Sequence, residues 1–233
     1  MNCIITGASR GLGKAIAEKF AAGGYHLYLV SRDADAGKRA AHEMAERFRD
    51  IEVNWGTFDL GDKRQAIQCG RWIIDHGADV DVLVNNAGQF IPGNISDEKD
   101  GVLEKMMEVN LYGAYHLTRV LLPGMIRRKK GHIFNMCSIA SLKAYSNGGA
   151  YSISKFALAG FSKNLREEMK PHGIKVTALY PGAAYTDSWA ASGVDPKRLM
   201  EAGDIAEMIF AASRLSPQAT VEDIVLRPQL GDL

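Results

Sequence analysis

The chain has 233 residues, of which 46% are hydrophobic and 24% are charged. This length predicts one domain over residues 1–233, because single α/β domains commonly run to roughly 200–250 residues. The 28 basic and 27 acidic side chains leave a net charge of +1. No overall field therefore favours binding to nucleic acid or to an anionic membrane.

The three cysteines and six histidines are scattered along the chain. Their spacing matches neither a metal cage nor a disulfide framework, so we expect no bound metal and a reducing environment. Strand-like sequence begins at Asn2 and leaves no room for a leader, and no apolar run approaches about 18 residues. The expectation is a soluble cytoplasmic protein that does not enter membranes.

Short apolar runs alternate with longer helical patterns along the whole chain. In chain order, the predicted strands are CIIT, HLYLV, IEVNWGTFD, VDVLVNNAG, HIFNMCS, KVTALYPG and DIVLRP. The predicted helices between them include Leu103 to Met125, Tyr151 to Lys170 and Gly203 to Ser213. Because parallel strands need helical crossovers, the alternation predicts a doubly wound, Rossmann-type α/β sheet that is parallel throughout.

A glycine-rich segment, TGASRGLG from Thr6 to Gly13, follows the first strand. Gly7, Gly11 and Gly13 would let the backbone approach a pyrophosphate, whose charge meets the amide end of the next helix. The alternative is a tight strand-to-helix turn with no ligand. Its place after the first strand, where such sheets bind dinucleotides, favours a cofactor site.

Tyr151 and Lys155 lie four residues apart and therefore share one face of a predicted helix. Such a pair is often an ordinary surface contact. A ketone that gains a hydride must also gain a proton, and a free tyrosine has a pKa of about 10. A lysine ammonium about 4 Å away supplies about 4 kcal/mol, or about three pKa units. The pair therefore predicts a tyrosine that transfers protons with its pKa lowered by Lys155.

These motifs, in this order, resemble the short-chain dehydrogenase/reductase family over essentially the whole chain. The first loop fits the family's T-G-x-x-x-G-x-G spacing. Further matches are Asp59, NNAG at Asn85 to Gly88, Asn110, Ser138, Tyr151 with Lys155, Pro181 with Gly182, and Thr186. The resemblance implies a nicotinamide-dependent oxidoreductase that interconverts a carbonyl and an alcohol by a Ser-Tyr-Lys-Asn mechanism.

The resemblance also implies a role for each matching residue. Ser138 would orient the substrate oxygen, and Asn110 would bind a water that relays protons to Lys155, whose ammonium also holds the nicotinamide ribose. Taken singly, Ser138 is as well explained as a strand-end cap and Asn110 as a buried polar residue. The implied cofactor contacts are Gly7, Ser9, Arg10, Gly11, Leu12, Gly13, Ser31, Arg32, Asp59, Asn86, Ala87, Gly88, Tyr151, Lys155, Pro181, Gly182, Ala184 and Thr186. Asp59 would face the adenine, and Thr186 would hold the carboxamide.

The end of the second strand favours NADP(H) over NAD(H). Family members that use NAD typically carry an acid there, and the matching residue is Ser31. Arg32 and Arg10 can bind a 2′-phosphate through charge-assisted hydrogen bonds, each worth about 1.5–3 kcal/mol. Asp33 competes with this interpretation, because a simple count places a ribose-binding acid near it. We interpret it as a first-turn residue of the following helix; otherwise NADH would serve equally well.

Two segments bear on the substrate. The YTDSW segment and the LRPQLGDL tail resemble bacterial sepiapterin reductases, more weakly than the catalytic set resembles the family. This predicts a small ketone, aromatic or pterin-like, and the expected substrate contacts are Ser138, Tyr145, Tyr151, Tyr185 and Trp189. The alternative is a 3-oxoacyl-[acyl-carrier-protein] reductase, although the tail lacks that group's V-D-G-G. The basic run Arg127 to Lys130 would then dock the carrier, although such a run is more often a solvated helix end that meets its own dipole.

A different class of function stays open, a non-catalytic NADP-binding sensor or scaffold on the same fold. The intact Asn110, Ser138, Tyr151 and Lys155 count against it. Family subunits commonly pair through the helices matching Leu103 to Met125 and Tyr151 to Lys170. The resemblance therefore implies a homotetramer or homodimer.

Overall fold

A seven-stranded parallel sheet organises the computed structural model, which describes residues 1–186 and 193–232. The strands are β1 (Asn2–Thr6), β2 (His26–Ser31), β3 (Val53–Thr57), β4 (Val80–Asn85), β5 (Gly131–Met136), β6 (Ile174–Pro181) and β7 (Asp223–Leu226). Their spatial order is β3-β2-β1-β4-β5-β6-β7, and each pair is parallel. The predicted Rossmann-type sheet is confirmed.

Helices cover both faces of the sheet. They are α1 (Gly11–Ala22), α2 (Ala34–Arg47), α3 (Lys63–Asp75), α4 (Val102–Met107), α5 (Gly113–Arg128), α6 (Gly149–Met169) and α7 (Ala202–Ser213). One apolar core joins α1, α2 and α7 to the sheet, and a second core joins α3, α5 and α6 to the other face. The five inner strands are mostly apolar because both of their faces are buried, whereas the edge strands β3 and β7 are partly exposed.

The direction of winding changes between β1 and β4, which lie side by side at the centre of the sheet. Ile4 pairs with Leu83 and Ile5 with Val84, so the two strands end at the same edge. The loops that follow them therefore flank one crevice. In open α/β sheets this crevice is where ligands bind.

The helix predicted from Leu103 to Met125 is not continuous. A π-helical turn, Glu108–Tyr112, separates α4 from α5. Asn110 occupies this turn and is buried, with its side chain bonded to residues outside the helix. Single π turns inside helices commonly occur at functional sites, and this one places Asn110 against the segment that follows β4.

Three short 3₁₀ segments complete the described elements, Ile139–Ser141, Lys170–His172 and Pro196–Arg198. The predicted helices from Tyr151 to Lys170 and from Gly203 to Ser213 are α6 and α7, with ends that differ by one or two residues. Within the described ranges, no helix has both the length and the apolar character needed to cross a bilayer.

Candidate active site

A cavity of about 910 Å³ opens at the carboxyl ends of the strands. It is lined by all the residues that the sequence analysis assigned to the cofactor, together with Ser138. Asn110, Tyr145 and Tyr185 are not among its lining residues, and Trp189 lies outside the described residues. Segments that are distant in sequence therefore lie together around this cavity.

The glycine loop is shaped for close approach of a ligand to its backbone. Gly7 has φ +65°, in the left-handed region that favours glycine. A Cβ built on Gly13 would lie 2.2 Å from the Gly7 carbonyl oxygen, so a side chain there would displace the loop. The amide end of α1 faces the cavity directly behind this turn, an arrangement that suits a pyrophosphate.

Asn86 fixes this loop from the neighbouring strand. Its side-chain Nδ2 donates to the Thr6 carbonyl at 2.9 Å, while the amides of Asn86 and Ala87 both donate to Thr6 Oγ1 at 2.9 Å. These bonds tie the end of β4 to the end of β1. The first part of the NNAG motif therefore supports the cofactor cradle through protein contacts of its own.

The far end of the cavity carries two guanidinium groups. Arg10 and Arg32 are exposed and line the cavity. The Asp33 carboxylate accepts a hydrogen bond from the Ala36 amide at 2.9 Å and caps α2. The buried Ser31 hydroxyl donates to the Asp33 carbonyl at 2.8 Å. Asp33 is thus engaged at the helix terminus, as the sequence interpretation of a first-turn residue expected.

Asp59 and Thr186 both line the same cavity. Asp59 Oδ1 accepts from the Gly61 amide at 3.0 Å, which fixes the turn after β3. The Thr186 methyl group would lie 3.4 Å from a Cβ built on Gly11, so Thr186 sits against the glycine loop. Thr186, which follows β6, therefore lies beside the cofactor cradle.

Tyr151 and Ser138 come together from two different elements. Ser138 follows β5 and caps the 3₁₀ segment, where its hydroxyl accepts from the Ala140 amide at 3.2 Å. Tyr151 lies in the first turn of α6. Burial raises the pKa of Tyr151, a hydrogen bond with Ser138 lowers it, and Cys137 adds a smaller upward contribution. The net direction is upward, so the phenol holds its proton at neutral pH.

Lys155 is buried beneath the tyrosine. Its Nζ donates to the Met136 carbonyl at 2.7 Å and lies 5.8 Å from the centroid of the Tyr151 ring. Burial lowers the pKa of Lys155 to about 8, with Cys137 opposing that shift. The predicted lowering of the Tyr151 pKa is not found in this state, because burial of the phenol is the largest influence and raises its pKa.

Asn110 holds the chain that follows the NNAG motif. Its Oδ1 accepts from the Gln89 amide at 2.7 Å, and its Nδ2 donates to the Gln89 carbonyl at 3.0 Å and to Ser154 Oγ at 2.9 Å. A Cβ built on Gly88 would lie 3.2 Å from Asn110 Oδ1 and 3.5 Å from Lys155 Nζ. Asn110 thus borders the lysine while its side chain is engaged with the protein.

The mouth of the cavity includes two residues that the sequence analysis missed, Gln89 and Phe90. The Phe90 ring packs edge-on against Tyr151, with ring centroids 4.9 Å apart. Tyr145 lies close enough to Tyr151 for the two to interact electrostatically, while Tyr185 is exposed and bonds through its amide to the Met200 carbonyl. The position of Gln89 and Phe90 directly after NNAG was the signal that could have found them.

Other lining residues were also missed: Val30, Ala36, Phe58, Leu60, Gly61, Val109, Met136 and Cys137; Asp33, which the sequence offered as an alternative ribose contact, lines the cavity as well. Most are neighbours of assigned residues at strand ends. Their side chains are mainly apolar or small, and motifs that are defined by polar chemistry do not predict such residues.

The basic run from Arg127 to Lys130 ends α5, and two of its members are paired. Arg128 forms ion pairs with Asp79 at 3.2 Å and Asp81 at 3.7 Å, and Lys130 forms one with Asp81 at 2.8 Å. These contacts join the end of α5 to the start of β4. Half of the run is thus occupied within the subunit.

Comparison with known proteins identifies the family. The short chain dehydrogenase family model matches residues 2–196, and the chain therefore belongs to the short-chain dehydrogenase/reductase family. Sepiapterin reductase of Chlorobaculum tepidum is 32% identical over 238 residues, covering 99% of this chain and 97% of that protein.

Two solved structures illustrate the structural likeness. Alcohol dehydrogenase from Thermococcus sibiricus, complexed with 5-hydroxy-NADP, matches with a TM-score of 0.90 at 28% identity, covering 98% of this chain and 96% of that one. L-sorbose reductase from Gluconobacter frateurii, complexed with NADPH and L-sorbose, matches with a TM-score of 0.89 at 27% identity, covering 97% and 94%. This chain is an oxidoreductase of the same family.

Proposed function

We propose that the protein is an NADPH-dependent reductase of a small ring-bearing ketone, with Tyr151 as the proton donor. The observation that carries the proposal is the convergence of Tyr151, Ser138 and Lys155 at one end of the cavity whose other end is the glycine loop. A phenol, a hydroxyl and a buried ammonium at the end of a dinucleotide cradle suit carbonyl chemistry.

The cavity residues fit NADP(H). A side chain at Gly13 would fill the cradle, and the backbone amides of the α1 terminus are positioned to receive a diphosphate. Arg10 and Arg32 supply positive charge where a 2′-phosphate would lie, and the Asp33 carboxylate is occupied by its helix cap. The solved relatives described above that hold NADP-type cofactors agree with this assignment.

The proton chemistry follows from the positions of the side chains. Bound NADPH supplies a hydride to the carbonyl carbon. The Tyr151 phenol, which keeps its proton at neutral pH, gives that proton to the carbonyl oxygen as negative charge develops there. Ser138 orients the same oxygen. The Lys155 ammonium stabilises the resulting phenolate, and Asn110 holds the neighbouring backbone in place.

A compact ring substrate suits the mouth of the cavity. The exposed Phe90 ring stands beside Tyr151 and offers a flat apolar surface. The sepiapterin reductase relative acts on a pterin by its name, which supports the pterin-like prediction. A 3-oxoacyl-carrier substrate is less favoured, because Arg128 and Lys130 are already paired with Asp79 and Asp81.

The test follows NADPH consumption with sepiapterin, a small aromatic diketone and a 3-oxoacyl thioester. We expect the ring substrates to have the highest kcat/KM. A thioester that exceeds them by about tenfold would establish the carrier-protein alternative instead. Tight NADPH binding with no turnover of any activated carbonyl would favour the sensor or scaffold.

Association into a homodimer or homotetramer is a second part of the proposal. The outer faces of α4 to α6 expose large apolar side chains, a pattern typical of surfaces covered by a partner. They are Leu103, Tyr112, Tyr115, Ile153 and Phe156. A second copy of the chain is the expected partner. Light scattering at micromolar concentration should report an oligomer, and a monomer would contradict this part.

A further inference from the structure

We propose that Glu98 is a positioning residue for Tyr151, acting through the first turn of α6. Its carboxylate replaces the missing side-chain cap of that helix and fixes the segment at the mouth of the cavity to the helix that carries the phenol. The inference goes beyond the proposed function in assigning this residue, and it rests on Tyr151 as the proton donor.

The cap of α6 has an unusual source. The N-cap residue is Gly148, which has no side chain, and no side chain of the cap residue bonds to the helix. The Ala150 amide, at the second helical position, donates instead to Glu98 Oε1 at 2.8 Å. An N-cap side chain normally accepts from this position or the next. Glu98, from a segment 52 residues earlier, therefore performs the capping role.

The Glu98 carboxylate occupies space that two glycines, Gly93 and Gly149, leave open. A Cβ built on Gly149 would lie 1.9 Å from Glu98 Oε1, and one built on Gly93 would lie 2.7 Å from Glu98 Cγ. Gly149 also has φ +27°. Only glycine at these two positions admits the carboxylate to the helix terminus, where its negative charge interacts favourably with the helix dipole.

Further bonds join the same two segments. The Gly93 amide donates to the Asn147 carbonyl at 3.2 Å, and the Asn147 amide donates to Asn94 Oδ1 at 3.0 Å. The Glu98 amide in turn donates to the Asn94 carbonyl at 2.9 Å. The segment 93–98 is thus latched to the approach to α6.

The residues just before the segment 93–98 contact the same helical turn. Phe90 packs on the Tyr151 ring, and Gln89 is held through both backbone groups by Asn110. Tyr151 directly follows Ala150, so a shift at the Glu98 bond moves the phenol relative to Ser138. Displacements of about 1 Å from the productive geometry can reduce a rate on the order of a hundredfold.

The experiment compares Glu98→Ala, Glu98→Gln and the control Asp100→Ala in the full chain. Asp100 is an exposed acid in the same segment. We expect Glu98→Ala to lower kcat by about tenfold to a hundredfold while the Kd for NADPH stays within about twofold. Glu98→Gln keeps an oxygen acceptor and should recover most of kcat, and Asp100→Ala should match wild type.

Amide hydrogen exchange over residues 147–155 supplies a readout that needs no turnover. Exchange at Ala150 should accelerate in Glu98→Ala and not in Asp100→Ala. Unchanged kcat, unchanged exchange, or an equal loss of NADPH binding and kcat would overturn the inference. If Glu98→Ala does not fold, the Glu98→Gln variant is the deciding test. Normal kcat with normal exchange at Ala150 in that variant supports the capping role of the side-chain oxygen. A loss of kcat equal to the loss of NADPH binding refutes that role. A wild-type enzyme that reduces no carbonyl would contradict the proposed function, whereas the exchange result would still test whether Glu98 caps α6.

Discussion

The two ends of the cavity are built in different ways. At the cofactor end, three bonds of 2.9 Å join Thr6 to Asn86 and Ala87, and Gly7 and Gly13 hold the backbone in a fixed turn. At the substrate end, Gln89 Oε1 is buried without a hydrogen-bond partner among the described residues. Phe90, which lines the cavity at the same end, is 48% exposed, and the predicted substrate contacts Tyr145 and Tyr185, which do not line it, are 46% and 49% exposed.

The two ends therefore differ in how far protein contacts alone form them. The cofactor end is formed by short local contacts between adjacent strand ends, so it exists before anything binds. The substrate end depends on side chains from the segment after β4, the approach to α6 and the segment after β6. We expect a bound substrate to cover the exposed Phe90 ring at that end.

The largest expected effect comes from Tyr151→Phe, which removes the proposed donor and leaves the cofactor end intact. We expect kcat to fall by about a hundredfold or more, because positioned acid catalysis contributes on that scale. NADPH affinity should stay within a few fold, as measured by cofactor fluorescence. A variant that retained more than a few per cent of the activity would show that another residue donates the proton.

The pH dependence of reduction tests the buried lysine. Because burial lowers the pKa of Lys155 to about 8, the ammonium is present below that pH and is lost above it. Reduction uses the charged form, so kcat/KM should decline as pH rises through about 8. An ordinary lysine, with a pKa of about 10.4, would keep the rate level for about two further pH units. A profile that stays flat to that point would contradict the role of Lys155.

Much of the fold could be predicted because its signals are local. Alternating apolar runs and helical patterns specify the sheet, and the TGASRGLG and NNAG motifs fall at strand ends that the topology places together. The break of the predicted Leu103 to Met125 helix could not be predicted, since it accompanies bonds from Asn110 to Gln89 and Ser154. Periodicity alone contains no information about such tertiary partners.

The electrostatics of the site were the hardest part to predict. The spacing of Tyr151 and Lys155 placed both on one helical face, and the structure agrees. Their pKa values depend instead mainly on burial, with smaller contributions from Cys137 to both groups and from Ser138 to Tyr151. Likewise, Glu98 reads in the sequence as one acid in a polar loop, because its partner Ala150 is remote in the chain.

Cofactor selection should respond to Arg32→Ala at the preformed end of the cavity. A lost charge-assisted bond to a 2′-phosphate is worth about 1.5–3 kcal/mol, and an exposed site favours the lower figure, or about tenfold. We expect kcat/KM with NADPH to fall by that factor while kcat/KM with NADH changes little. Arg49→Ala, an exposed arginine after α2 that does not line the cavity, is the control. Equal losses with both cofactors would reject a phosphate contact.

An effect of similar size should come from Phe90 at the substrate end, and it separates ring recognition from simple apolar bulk. Phe90→Ala should cost ring ketones about 1–2 kcal/mol in kcat/KM, the scale of lost pocket contacts, and should cost a 3-oxoacyl thioester less. Phe90→Leu keeps most of the apolar volume and removes the aromatic face, so it should share much of the loss for planar substrates. Ile95→Ala, a highly exposed residue of the same segment, is the matched control.

The same substrates tested with Trp189→Ala would examine the predicted aromatic contact that lies outside the described residues. We expect a loss for ring ketones of roughly 1–3 kcal/mol if that ring faces the nicotinamide end as the sequence predicts. Phe90 and Trp189 follow different strands, so a variant with both substitutions tests whether their contacts are separate. A loss in the double variant equal to the sum of the two single losses would indicate two separate walls. A loss smaller than that sum would indicate that both rings contact the same face of the substrate. If the thioester is preferred by about tenfold and neither substitution alters any rate, the substrate end recognises an acyl chain and the ring-ketone assignment is wrong.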